Sequence, residues 1–522
     1  MSTLTTAKPG VSTDWAQLMK WPLTIALGAA MLYLVFNVYA AGQAMWALGL
    51  LTLTCAAFYS YLSNIGFAYR YLFPGLAGMA IFVAFPLLYT MQIGFTNYSS
   101  SNLLSFERSS RYLLDQSIPD EATTHSYTVH REGDTLRLAL SKADGAGALV
   151  TDAFASNFDG ANPLRATPQA ASQSLGTALS MRDIIANRET LQRVKITLPT
   201  GETLNYSGLR EFARLTPVWK QNADGSITKT ESGESFSPNG KTGFFENAKG
   251  DKLQPGYTVG VGFANYSRMI NDPDFRAPFF AIFIWTVVFA GLTVVFVTAV
   301  GVTLAVLLNW EALRFRTVYR TLLFLPYAVP GFISILVFKG LFNQNFGEIN
   351  AILDALFGVK PAWFADPLLA KVMLLIVNVW LGFPYIMVLC AGLIKSIPAD
   401  LYEASAIAGA SPLTNFFKIT LPLIIKPLSP LLVMVFAFNF NNFVLIALLT
   451  DGRPDFLNTK IPAGTNDILV SYTYRIAFKD SGQDFGLAAA ISTVMFFMVA
   501  AMSIWNLRLA SKEINRGSGS GK

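Results

Sequence analysis

Phe279 to Leu308 reads FFAIFIWTVVFAGLTVVFVTAVGVTLAVLL, thirty residues without a charge. A hydrocarbon core about 30 Å thick is crossed by roughly 20 helical residues, and lipid accepts a helix because every backbone amide is satisfied within the segment. The stretch therefore reads as a transmembrane helix. The same argument picks out Trp21 to Tyr39, Ala44 to Leu62, Tyr71 to Ile93, Thr321 to Leu341, Val372 to Ile394, Leu428 to Leu449 and Phe485 to Asn506, giving eight spans. Composition agrees, since 14% of the chain is charged where a soluble domain carries about 25%. The first span is followed almost at once by a second and has no clear small-residue cleavage site, so it is not a removable signal peptide.

Lysine and arginine in short loops are retained on the cytoplasmic side. Lys8, Lys20, Arg70, Arg314, Arg316, Arg320, Lys395, Lys418, Arg508, Lys512 and Arg516 all fall in alternate connections or at the ends. The Ala41 to Gln43 link is uncharged and Gly347 to Asp366 is net acidic. Both termini are thus expected in the cytoplasm. The net charge of +6 is accounted for by cytoplasmic loops, and no nucleic-acid partner is needed to explain it.

Residues 1–95 are expected to hold a cytoplasmic segment and three spans, 96–275 a soluble insertion outside the cytoplasmic membrane, and 276–510 the remaining five spans. Residues 511–522, ending Gly-Ser-Gly-Ser-Gly-Lys, read as a flexible tail. In the insertion, alternation at Ser126 to His130, Leu136 to Leu140 and Val194 to Leu198 predicts strands. Turns are expected at Gly133-Asp134, Thr200-Gly201 and Asn222 to Gly225, and a helix near Ser180 to Leu191, together a small β-rich sandwich. His125 and His130 have no cysteine nearby and do not make a zinc site. Cys55 and Cys390 both lie in spans, so the insertion carries no disulfide.

Between the sixth and seventh spans lies Glu403-Ala404-Ser405-Ala406-Ile407-Ala408-Gly409-Ala410, followed by Ile419-Thr420-Leu421-Pro422. Small residues favour a short helix over Asp400 to Ala408; Gly409 can end it in a left-handed cap, and Pro412 discourages its resumption. The segment resembles the EAA loop, the cytoplasmic coupling element of ABC-importer permeases. Tyr319 to Pro330, Gly347 to Asn350, Gly262 to Tyr266 and Asp272 to Phe275 are similar to the sugar-importing members of that family. The amino-terminal spans and large insertion are similar to its maltose/maltodextrin permeases, as are Phe95 to Ser100 and Phe436 to Phe443.

The resemblance implies an all-α polytopic membrane protein of eight transmembrane helices, with a type I ABC-importer permease core, a β-rich periplasmic insertion and a coupling loop at 398–422. It implies a heteromer with a second permease subunit, an ATPase homodimer and a periplasmic maltose-binding protein in a bacterial inner membrane, importing maltose or maltodextrin by alternating access. ATP and magnesium would belong to the ATPase, and this chain would bind no cofactor. Glu403, Ala404, Ser405, Gly409 and Ala410 would meet the ATPase, although Ser405 replaces the second alanine of the pattern and Ala408 its aspartate.

Sugar recognition calls for aromatic faces and amides in an otherwise apolar cavity. The sixth span offers Asn378, Trp380, Gly382, Phe383, Pro384 and Tyr385, the seventh Phe438, Asn439, Phe440, Asn441 and Asn442. Membrane asparagines also tie helices together. By the resemblance, Asn378, Leu381, Gly382, Tyr385, Phe438, Asn439 and Asn442 correspond to sugar-contacting positions, and Val435 stands where that motif has serine. No Gly-x-x-x-x-Gly-Lys-Ser/Thr occurs in the chain, so it is not itself an ATPase of the usual kind. An ion-coupled sugar carrier and a passive channel or scaffold are the competing readings. The first is disfavoured because the eight span interiors lack Asp, Glu and His, and Lys339 and Lys426 lie near span ends.

Overall fold

Capped prolines set where three of the long helices begin. The computed structural model describes residues 15–63, 67–142, 148–160, 162–169, 175–310, 312–457, 459, 462–479 and 483–519, so Lys8 and residues 520–522 lie outside it. The described residues fall into two units, divided between Gln92 and Ile93. In the first, α1 (Trp15–Ala40) and α2 (Ala44–Leu62) form a hairpin turned at Gly42, whose φ of 81° suits glycine. The span α3 (Tyr69–Ile93) follows and contains a π-helical turn at Ala80–Ala84. These helices are apolar all round, as lipid requires.

In the second unit, α4 (Pro273–Asn309) starts at the Asp272 cap, which accepts from Asp274 N at 3.0 Å. The helix α7 (Pro367–Lys395) starts at Asp366, whose carboxylate accepts from Leu368 N and Leu369 N, both at 2.8 Å. Proline at the first position sacrifices no hydrogen bond. These two helices run parallel in constant register: Thr293 meets Asn378, Val297 meets Gly382 and Gly301 meets Ile386, each pair 85 residues apart. A Cβ at Gly301 would lie 2.8 Å from Ile386 Cβ, so glycine is what lets the helices approach there.

The expected span Thr321 to Leu341 is not one helix. It divides into α5 (Arg316–Ala328) and α6 (Gly331–Leu341), which meet at 92°. Pro326 and Pro330 each lack an amide hydrogen, and Val329, preceding Pro330, is extended at φ −103°, ψ 131°. Among the described residues, seven helices are long and apolar enough to cross a membrane, or eight if this bent pair counts as one.

The coupling segment contains α8 (Ala399–Ile407) and ends at Gly409 with φ 71°. Pro412, expected to discourage helix, instead opens one. It occupies the first position after the Ser411 cap of α9 (Pro412–Phe440). The seventh span therefore starts well before Leu428, and it stops at Phe440. Asn441 and Asn442 interrupt it before α10 (Phe443–Leu449), which Asn442 caps by accepting from Leu445 N at 3.4 Å. The last helix, α11 (Phe485–Gly519), continues through 511–519, where a flexible tail was expected.

The insertion closes into a barrel rather than a sandwich. The barrel's closed ring is β1 (His125–Glu132), β2 (Thr135–Lys142), β3 (Leu149–Thr151), β4 (Leu164–Pro168), β5 (Lys195–Thr197), β6 (Thr203–Gly208) and β7 (Glu211–Ala213), and a separate four-stranded antiparallel sheet follows it at 219–246. Each pairs with the next, β4 and β5 in parallel, and β7 returns to β1 through Glu211–Ser126 and Phe212–His125. Alternate residues point inward, so Val129, Leu136, Leu138, Leu140, Ile196, Leu204 and Phe212 form the core. The expected helix is two, Met181–Ala186 and Arg188–Arg193. His125 and His130 face backbone carbonyls, Nδ1 lying 2.7 Å from Thr123 O and 2.8 Å from Gly176 O. At the base, Asn97 and Asn102 on the outgoing chain bond the returning one: each donates to Tyr257 O, at 3.2 and 3.1 Å, and Asn97 Oδ1 accepts from Val259 N at 2.7 Å.

Candidate translocation site and coupling hairpin

The bend between α5 and α6 opens a cavity of about 580 Å³ against α4, α7, α9 and α10. All seven positions expected to contact sugar line it: Asn378, Leu381, Gly382 and Tyr385 from α7, Phe438 and Asn439 from α9, and Asn442 at the break before α10. Parallel packing of α4 and α7 puts Thr293 opposite Asn378, whose Nδ2 donates to Thr293 Oγ1 at 3.0 Å and to Asn439 Oδ1 at 2.8 Å. Asn442 Nδ2 donates to Asn378 Oδ1 at 3.2 Å, and Asn439 Nδ2 to Val435 O at 2.8 Å.

The lining side chains thus divide into two kinds. Asn378 and Asn439, 5% and 4% exposed, satisfy one another and hold three helices together. Tyr385 and Phe438, 40% and 70% exposed, present their rings to the open side. Helix-tying amides and cavity-lining rings therefore meet in one site. Val435 also lines the cavity, adding methyl surface. Trp380 packs edge-on against Phe338 with ring centres 5.0 Å apart, and Phe440 is buried in a separate core; neither lines the cavity. Asn441 donates back to Ala437 O at 3.3 Å.

Sequence reading missed Thr293, Tyr327 and Met434, which also line the cavity. Tyr327 had a signal, because it lies between two prolines that break a span. Thr293 had none, because its place depends on the α4–α7 register. Lys339, near the end of α6, donates to Leu448 O of α10 at 3.1 Å.

A charged cluster holds the connection between α10 and α11. Arg475 Nε lies 3.2 Å from Asp467 Oδ2, and Nη1 lies 2.7 Å from Asp455 Oδ1. Asp467 also accepts from Ser471 Oγ and Gly464 N, both at 2.8 Å. Burial pushes its carboxyl up to about 6 against the opposing pull of Arg475.

In the segment at 398–422, Glu403, Ala404 and Gly409 are exposed and Ala410 is half-buried. Ser405 differs: its hydroxyl turns inward and donates to Asn415 Oδ1. Ile407, Leu413 and Phe417 project apolar side chains, Ile407 with 89% of its surface exposed.

A broken span facing a cavity, together with a helical hairpin between two spans, belongs to an inner-membrane permease subunit of the binding-protein-dependent class. The model of that family, described as binding-protein-dependent transport system inner membrane component, matches residues 298–512, and the maltose transport system permease protein MalF P2 domain matches 104–262. The chain is 50% identical over 497 residues to the maltose/maltodextrin transport system permease protein MalF of Escherichia coli K12, covering 94% of this chain and 96% of that one. Identity to the Yersinia pestis protein of the same name is 47% over 502 residues, 95% and 94% of the two chains. A solved bacterial ABC transporter involved in alginate import gives a TM-score of 0.41 at 20% identity, over 48% of this chain and 84% of that one. The chain belongs to the MalF family of maltose/maltodextrin transport system permeases. It is a transport subunit, not the ATPase.

Proposed function

We propose that the chain carries maltose and maltodextrins across the bacterial inner membrane as one half of a permease. A second permease subunit would face it, an ATPase homodimer would dock on the hairpin, and a periplasmic maltose-binding protein would deliver sugar to the barrel side. Both termini and the hairpin then lie in the cytoplasm and the barrel in the periplasm, the orientation that the positive loop charges favour. ATP and magnesium are held by the ATPase, and this chain binds neither.

One observation carries the reading: the amide of Asn442 and the exposed rings of Tyr385 and Phe438 converge on one cavity, and α9, which supplies Leu431, Met434, Val435, Phe438 and Asn439 to its lining, leads directly from the hairpin at 398–422. Tyr385 and Phe438 offer flat faces to the CH-rich sides of glucosyl rings, while Asn442 offers polar contacts to hydroxyls. Glu403, Ile407 and Leu413 provide a charged and apolar surface for the ATPase. Closure of the ATPase pair on ATP would move the hairpin and exchange inward for outward access.

The test is ATP hydrolysis by the reconstituted permease pair and ATPase pair, with and without maltose-loaded binding protein. Stimulation accompanied by maltose uptake is expected. Uptake driven by an ion gradient without ATP would refute the reading.

A further inference from the structure

The coupling helix is pinned to the span that follows it at two points. Tyr402 Oη lies 2.9 Å from Thr420 Oγ1, and Ser405 Oγ donates to Asn415 Oδ1. Tyr402 and Ser405 are three residues apart and share one face of α8, while Glu403, Ala404 and Ile407 stay exposed. Thr420 is buried and ends a π-helical turn at Phe416–Thr420.

Backbone bonds cap α8 only as far as Ala410, with Gly409 at φ 71° donating to Ala406 O at 3.0 Å and Ala410 N to Ser405 O at 3.1 Å, and the link onward to α9 is the single step from Ala410 to the Ser411 cap. A helix attached only through such a link can swing without displacing its neighbour. The two side-chain bonds bracket this joint, one near it and one a turn further along α8. Beyond Thr420, α9 is continuous through Pro427 and Pro430 to Phe440, so Thr420 and Phe438 are about 27 Å apart along one helix.

We infer that Tyr402, Ser405, Asn415 and Thr420 are positioning residues that make the coupling helix and α9 a single lever, so that displacement of the hairpin reaches Phe438 and Asn439 instead of being absorbed at the link from Ala410 to Ser411. The inference rests on the importer reading. Ser405 then serves coupling from inside the hairpin, not by touching the ATPase.

The experiment measures maltose taken up per ATP hydrolysed in proteoliposomes containing the whole complex and maltose-loaded binding protein. Tyr402→Phe and Asn415→Ala each remove one pin without changing the exposed face. Hydrolysis should stay stimulated while maltose per ATP falls roughly two- to thirty-fold, the range for residues that carry coupling energy. Ser405→Ala combined with Asn415→Ala should be no worse than Asn415→Ala alone, since both remove the same bond, and Ser405→Thr should keep the wild-type ratio. An unchanged ratio in the Tyr402→Phe/Asn415→Ala double variant overturns the inference. So does a variant that merely sheds the ATPase while the remaining complexes keep the wild-type ratio. A wild-type complex indifferent to loaded binding protein is a different failure, read before any variant is made, and it removes the importer reading itself.

Discussion

Asn378 on α7 donates to Asn439 on α9 at 2.8 Å, and this bond ties the wall of the cavity to the helix that leaves the hairpin. Asn439→Leu leaves one Asn378 donor without its acceptor in an almost fully buried place. The loss should be about 1 kcal/mol, in keeping with hydrogen bonds between membrane helices. It is read as a lower melting temperature of the purified complex; an unchanged melting temperature would show that the tie contributes nothing.

Tyr385 and Phe438 should behave oppositely. Their rings are exposed to the cavity, so Tyr385→Ala and Phe438→Ala should leave melting unchanged. Each should raise the maltose concentration for half-maximal uptake roughly tenfold, equivalent to about 1.4 kcal/mol of binding. Equal losses of stability and uptake would make the rings structural.

Glu403 makes no ion pair among the described residues and lies on the exposed side of α8. Glu403→Lys reverses charge on the surface proposed to meet the ATPase without disturbing the pins behind it. The variant should fold and reach the membrane in wild-type amount, with maltose uptake falling by a factor of about ten or more, the scale of one charged contact at an interface. Normal uptake would exclude Glu403 from coupling.

Gly301 marks a close approach of α4 to α7. Gly301→Ala puts a methyl group 2.8 Å from Ile386 Cβ and 3.0 Å from Met387 N, and overpacking of this kind costs about 1–3 kcal/mol. Melting of the complex should report it, and a compensating Ile386→Ala should recover part of the loss.

Asp467 sets a pH dependence outside the spans. Its raised folded-state value means that the folded chain holds this proton more tightly than the unfolded chain. The stability is present below pH 4 and declines as pH rises towards 6, by up to about 3 kcal/mol on full ionisation. Asp467→Asn should flatten that limb of a melting-temperature profile, whereas Arg475→Leu strands a buried carboxylate and should cost about 3–5 kcal/mol. A slope that survives Asp467→Asn would place its origin elsewhere.

The spans were legible because an uncharged run such as Phe279 to Leu308 has one stable solution in lipid. The cavity's α7 and α9 walls were legible too, since amides interleaved with phenylalanines stand out in an apolar run. Hydropathy could not locate the start of α9: Lys418 and Lys426 look like loop charge, yet the helix begins at Pro412 and carries them. Thr321 to Leu341 has the length of one span, and the opposing effect of Pro326 and Pro330 appears only as a bend. Barrel closure rests on β7 meeting β1 across more than eighty residues of sequence, which local alternation cannot reveal. The Ser405–Asn415 bond was hidden for the same reason, since neither residue announces the other.

Asn97 and Asn102 have a further consequence. By fastening the departing strand to the returning one at Tyr257 and Val259, they meet the entropy of closing the long excursion at its neck, independently of what the excursion contains. The neck thus behaves as a socket. Shortening the barrel, replacing it with another fold of matched ends or removing it at the neck should leave α4 and α7 in register, so descent can alter the inserted module without rebuilding the cavity.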